Sequence, residues 1–210
     1  MDANDAAEAV AEARAENDAE ERFRSRVALL IAFMAMLLAI TSLGGGNAAE
    51  DIFNNNIQAS DTWNFYQAKN IRQTAFRLAA DELESELTVS GGSMSPEARA
   101  ALEQKIKTYR DTVARYESEP DREDPANPIR GEGKKELTAR AKHYESLRDR
   151  AQDQDPNFDF AEALFQIAIV LASVAILANS RMIVVVSLAA GAVATVLMIN
   201  GYFLLFPLPF

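Results

Sequence analysis

The sequence has no cysteine, and that absence removes disulfides, thiol nucleophiles and cysteine-ligated metal or iron–sulfur centres. Histidine occurs once, at His143, with no second imidazole to help hold a metal, so it reads as a solvated helix residue. No segment alternates apolar and polar residues with period two, so no strand is expected. The chain lacks a phosphate-binding glycine loop, a GxSxG elbow, an HExxH pair and a dinucleotide fingerprint. Excess positive charge is also missing. With 21 bases against 31 acids the net charge is −10, which repels nucleic acid and lacks the basic footprint that phosphate recognition needs. These absences point away from an enzyme, a cofactor and a nucleic-acid partner. The acids Asp121, Glu123 and Asp124 lack the glycine and acid spacing of an EF-hand and read as a solvated loop.

Charge is absent altogether from three long apolar stretches, 27–49, 163–180 and 182–210. A helix needs about 20 apolar residues to cross a hydrocarbon core. The expected organisation is an acidic tail (1–26), a first transmembrane helix (27–46), a helical domain (47–157), a second span (158–179) and a third (182–206). The fold class is all-α, with an extracytoplasmic helical hairpin or coiled-coil domain between spans one and two. Membrane lipid is therefore an expected partner.

Flanking charge sets the orientation. Arg22, Arg24 and Arg26 precede span one, and no base follows it until Lys69. The approach to span two is free of bases, and the turn between spans two and three carries Arg181. Basic residues stay on the cytoplasmic side. The N-terminus is expected in the cytoplasm, with the central domain and the C-terminus outside. Small residues at Gly46-Asn47-Ala48 resemble a signal cleavage site, but the acid-rich lead and the length of the apolar run favour an uncleaved anchor. The tail, rich in alanine and glutamate, can form a helix or remain solvated.

The central domain has helical punctuation. Residues 52–87 contain no proline and place Ile71, Ala75, Leu78 or Ala79, Leu83 and Leu87 at helical steps. The run Gly44-Gly45-Gly46 marks either a hinge or a point of close helix packing. Ser90-Gly91-Gly92-Ser93 ends the first helix, and Ser95-Pro96-Glu97 caps and starts a second. Leu102, Ile106, Tyr109, Val113 and Tyr116 then form a narrow heptad seam suited to a coiled-coil partner. A loop with three prolines leads to a third helix over about 134–152, and Asp155-Pro156-Asn157 is expected to break it. Narrow seams bury little apolar area in one chain, which favours association of several chains.

Four strings resemble the bacterial domain of unknown function 4337 family: VALLIA at 27–32, SLGGGNAA at 42–49, ASDTWNFYQAK at 59–69 and FDFAEALFQIAIVLAS at 158–173. The resemblance implies a bacterial membrane protein of this same layout, here placed in the inner membrane with a periplasmic central domain. It transfers no activity and no functional residue.

Three groups of residues are candidate sites. Ser60, Trp63, Asn64, Tyr66 and Gln67 form either a recognition surface or, preferably, an interhelical polar and aromatic layer that fixes register. Gln166 and Asn200 are polar residues inside spans, expected to hydrogen-bond between helices, and Glu162 lies at the outer edge of span two. Ser187, Gly191 and Thr195, like Ala28 with Ala32 and Ala168 with Ala172, place small residues four apart, either for an oligomer interface or for packing within one chain. The preferred reading is a self-associating scaffold or an accessory subunit of a membrane complex. A transport or channel subunit lined by Gln166, Asn200 and Thr41 is the alternative, and a sensor relaying to the N-terminal tail is the third.

Overall fold

The computed structural model describes residues 3–208, with side chains described at Arg14 and from 17 onward. Among the described residues there are four helices: α1 (Ala3–Ser90), α2 (Pro96–Glu117), α3 (Lys134–Leu177) and α4 (Arg181–Phe203). Among the described residues there is no strand. The outermost residues of the acidic tail and of the C-terminus lie outside the described residues. The contacts divide into two compact units, one of Met1–Glu50 with Arg150–Phe210, the other of Asp51–Asp149.

The first unit holds the apolar stretches. α1, α3 and α4 are each long and apolar enough to cross a membrane. Its core joins all three around Met34, Phe165, Ala168 and Ala194. Alanine, serine and glycine at these contacts let the helices approach closely, since apolar burial alone does not drive helices together in lipid. Most of each apolar window stays uncovered by protein, as lipid-facing helices require.

Of the two readings of the glycine run, the packing favours one, and one expectation needs correction. The helix is unbroken through Gly44-Gly45-Gly46. Close packing is the reason for Gly44: a Cβ there would lie 2.5 Å from Cε1 of the Phe158 ring. The ring sits between Gly44 and Gly201 and meets Tyr202 edge-on at 4.9 Å. Gly46 faces open space.

Nor does Pro156 break the third helix, for α3 continues through it to Leu177. Interior proline removes an amide donor and costs about 3 kcal/mol or more in a helix. Local polar bonds support the chain at this point. Asn157 is buried, donates its amide to the Asp153 carbonyl at 2.9 Å and accepts from Asn200 at 2.7 Å. Asn200 also donates to the Phe206 carbonyl and accepts from the Phe206 amide. That clasp holds the segment past Leu204, whose left-handed φ of 50° ends α4.

In the second unit, α1 buries one face. The positions that are buried or half-buried include 52, 55, 59, 62, 66, 69, 73, 76, 80, 83 and 87, at alternating steps of three and four. This periodicity gives one stripe toward the neighbouring helices. The apolar series of the sequence merges two faces. Ala79, Leu83 and Leu87 are half-buried, but Ile71 is 69% and Leu78 63% exposed, and Ala75 faces outward with them. α2 begins as its sequence predicts: the Ser95 hydroxyl accepts the Ala98 amide at 3.2 Å, with Pro96 at the first helical position.

Candidate functional site: a buried polar cluster

The second unit encloses more polar chemistry than its sequence advertises. On the inward face of α1, Thr62, Lys69 and Gln73 are buried. The Thr62 hydroxyl is satisfied locally by the Gln58 carbonyl at 2.6 Å. Lys69 donates to the Glu132 carbonyl and to Glu119 at 3.3 Å, and it lies 5.4 Å and 5.5 Å from the ring centroids of Phe65 and Tyr116. An ammonium held by carboxylate, carbonyl and two aromatic faces loses little by leaving water.

One turn on, Gln73 uses both ends of its amide. Its nitrogen donates to the Val113 carbonyl and to Glu117, each at 2.9 Å, and its oxygen accepts Lys134 at 2.9 Å. Lys134 also pairs with Glu117 at 3.3 Å. The Gln73 amide and the Lys134 ammonium hold the Glu117 carboxyl below the usual carboxylate range. One glutamine thus ties α1, α2 and α3 together.

Glu136, in the first turn of α3, fixes the end of α2. It is buried, accepting the Ser118 hydroxyl at 2.7 Å and the Glu119 amide at 3.1 Å. Burial pushes its carboxyl up, but these donors, its own amide and Lys135 outweigh burial and leave it lowered. Gly133 brings the backbone so close that a Cβ would overlap the Glu136 carboxylate and the Glu119 amide. Arg140 secures the loop by donating to the carbonyls of Ile129 at 2.6 Å and Gly131 at 2.8 Å. Near the far end of α1, Arg110 clamps Glu84 at 2.8 and 2.9 Å and Asp81 at 2.6 Å, raising the guanidinium and lowering Glu84. Asp121 accepts the amides of Asp124 and Glu123, which lower its carboxyl and form a turn rather than an open cation site.

The predicted layer around Trp63 divides. Trp63 and Tyr66 are half-buried, meet edge-on at 5.5 Å, and the indole donates to Glu145 at 2.8 Å. Ser60, Asn64 and Gln67 point outward, away from the cluster. The residues missed were Lys69, Gln73 and Glu136. For the two on α1 the signal was the three-and-four spacing of 62, 66, 69, 73 and 76, obscured because long polar side chains occupy what reads as a solvated face.

All five seam residues of α2, Leu102, Ile106, Tyr109, Val113 and Tyr116, are half-buried inside the chain. Tyr109 and Tyr116 pack on Phe76 at 5.4 Å and 6.0 Å. Ile106→Asp should therefore destabilise the unit by about 1–3 kcal/mol, the usual cost of charging a partly covered apolar position. Urea unfolding followed by far-ultraviolet circular dichroism checks this; an unchanged midpoint with a smaller particle would place the seam between chains instead.

Within the first unit, Ser187 is fully buried and donates to the Ala168 carbonyl at 2.7 Å. Gly191 lies against Met34, and Thr195 bonds the Gly191 carbonyl at 2.8 Å. This stripe packs within one chain. Asn200 is fully buried in its clasp, as is Thr41, bonded to the Leu37 carbonyl. Gln166, expected to bond between helices, is instead exposed and donates to Glu162 of its own helix at 3.2 Å. His143 is exposed beside Tyr144. Among the described residues no group of three potential metal ligands gathers, and no buried side-chain polar atom lacks a partner.

A family model described as a domain of unknown function (DUF4337) matches residues 23–204. No curated protein and no solved structure matches the chain.

Proposed function

Because the chain belongs to the family of domain of unknown function DUF4337, whose description assigns no activity, we propose from its geometry that it is a membrane-anchored helical scaffold. It self-associates or serves as an accessory subunit of a membrane complex, in the bacterial inner membrane, with the N-terminus in the cytoplasm and the helical hairpin domain in the periplasm. The observation that carries this reading is the contrast between the two faces of α1 in the second unit. Inward, the polar cluster of Lys69, Gln73, Glu117 and Glu136 is closed by bonds within the chain, and such satisfied networks rigidify a shape. Outward, Ile57, Ile71 and Leu78 remain uncovered between charged neighbours. A rigid element that presents apolar side chains to the outside is suited to holding another helix.

The mass of the particle solubilised in detergent from its native membrane, corrected for bound detergent, tests the reading. We expect the mass of two or more copies of the 23.0 kDa chain. A mass that includes another protein would favour the accessory subunit. A single-copy particle would overturn the scaffold and bring forward the sensor relaying to the acidic tail.

A further inference from the structure

Every base before Lys69 is an arginine, and three of them, Arg22, Arg24 and Arg26, stand directly before the apolar stretch that opens at Val27. Arg181 holds the same position before the stretch that opens at Met182. The fold brings these two places together. Asn179, in the turn before α4, donates its amide to Glu20 on α1 at 2.9 Å, so the turn that carries Arg181 rests on α1 one turn before Arg24. All four arginines are exposed. Arg24 reaches Glu20 at 3.4 Å, and a surface pair of this kind is weak. The side chains of Arg22, Arg26 and Arg181 make no ion pair or hydrogen bond with the described residues, although Asp18 lies one turn before Arg22.

We infer that these arginines form a collar that binds the headgroup phosphates of anionic phospholipids, in the leaflet on the N-terminal side of span one; the inference rests on the membrane-anchored reading and names a ligand for it. Depth is the first reason. Arg22 to Arg26 cover about 6 Å of helix, and the headgroup layer on each face of a bilayer is about 5–8 Å thick. Arg26 and Arg181 each adjoin the first residue of a charge-free stretch, so their guanidinium groups lie beside the phosphates rather than in open water.

Chemistry is the second reason. A guanidinium fork matches two phosphate oxygens at once, and three of these forks have no acceptor in the chain. Glu20 and Glu21 offset two of the four arginines, which leaves the collar positive. Position along the chain is the third. No base lies between Arg26 and Lys69, between Arg150 and Arg181, or after Arg181, so the far ends of the spans offer nothing to a phosphate. Before Arg22 the sign reverses, with eight acids against Arg14 alone. The lipid surface that attracts the collar therefore repels the tail and holds it in the water.

The full chain is reconstituted in phosphatidylcholine vesicles that carry a trace of spin-labelled phosphatidylglycerol or of spin-labelled phosphatidylcholine. Electron paramagnetic resonance reads the fraction of each label slowed by the protein. We expect a preference for phosphatidylglycerol of about fivefold, the factor that one base contributes at an anionic surface. Changing Arg22, Arg26 and Arg181 to Gln together should remove most of that preference. Changing Lys107, Lys142 and Arg150 to Gln takes away the same charge at exposed positions off the collar and should leave the preference intact. Equal loss in the two triple variants would overturn the collar. So would equal retention of the two lipids by a protein that resists extraction with alkaline carbonate, and the anchored scaffold would then still stand. Release of the protein by carbonate would overturn both. Displacement of the labelled lipid by sodium phosphate, beyond that by sodium chloride of the same ionic strength, would give the arginines to free phosphate and overturn the lipid assignment.

Discussion

Gly44→Ala will lower the stability of the first unit by about 1–2 kcal/mol, and Gly46→Ala, two residues along the same helix, will raise it. Helix propensity alone predicts a gain of about 1 kcal/mol for both, since each removes a glycine from a helix interior. Space decides between them. A Cβ at Gly46 meets nothing within 4 Å, so the gain stands. At Gly44 the new methyl would lie 2.5 Å and 2.8 Å from Cε1 and Cζ of Phe158 and 2.9 Å from the Tyr202 hydroxyl. The ring has little room to yield. It is 2% exposed, faces Gly201 where a Cβ would also approach to 2.8 Å, and stacks edge-on with Tyr202. The Tyr202 hydroxyl is itself tied to the Ile40 carbonyl at 2.9 Å. Overpacking of this kind costs about 1–3 kcal/mol, more than the helix gain, and Gly44→Leu will exceed it. Thermal unfolding of the detergent-solubilised protein reads the sign of each change. Equal shifts at the two positions would mean that Phe158 does not occupy the slot.

That contrast also shows where the sequence was readable. The glycine run announces an exception to helical propensity, and close packing was one of its two readings. Which glycine matters depends on Phe158 and Tyr202, more than a hundred residues away, and no local pattern carries that. Start and stop signals were legible because they act over three or four residues: Ser95 caps α2, Pro96 opens it, and Gly91 follows the end of α1. Pro156 misled for the opposite reason. Its local rule is to end a helix, and its helix survives beside a long-range bond between Asn157 and Asn200.

The two faces of α1 were merged because apolar character was the only guide. Ile71 and Leu78 suggest a core, yet the buried positions two residues from them in either direction are Lys69, Gln73 and Ala80. Periodicity finds a face by the side chains that avoid water. It fails where the enclosed face is polar and satisfied by groups distant in sequence, here Glu117 at the end of α2 and Glu119 and Glu132 in the loop after it. The candidate layer around Trp63 was half legible on the same account. Its aromatics turn inward to Glu145, while the small polar residues beside them turn out.

Glu136 offers the sharpest test of that enclosed cluster. Glu136→Ala will destabilise the second unit by about 3 kcal/mol, because it leaves the Ser118 hydroxyl and the Glu119 amide without their acceptor, at about 1–3 kcal/mol for each buried group. The effect is local, so amide hydrogen exchange will quicken first at Glu119 and at the start of α3. Glu136→Gln keeps the shape but removes the charge, and the difference between it and the parent will depend on pH. The folded carboxyl titrates below its ordinary value of 4.5, so the ionised form contributes stability that is fully present above that value. As pH falls through the lowered folded value, both states become protonated and the contribution disappears. The stability gap between parent and Glu136→Gln should therefore be widest near neutrality and should close as the pH falls through the lowered folded value. Glu117, lowered by Gln73 and Lys134, adds the same slope to both proteins and cancels in the comparison. A gap that stays constant from neutral to acid pH would show that the Glu136 charge, unlike its shape, contributes nothing to joining α3 to the end of α2.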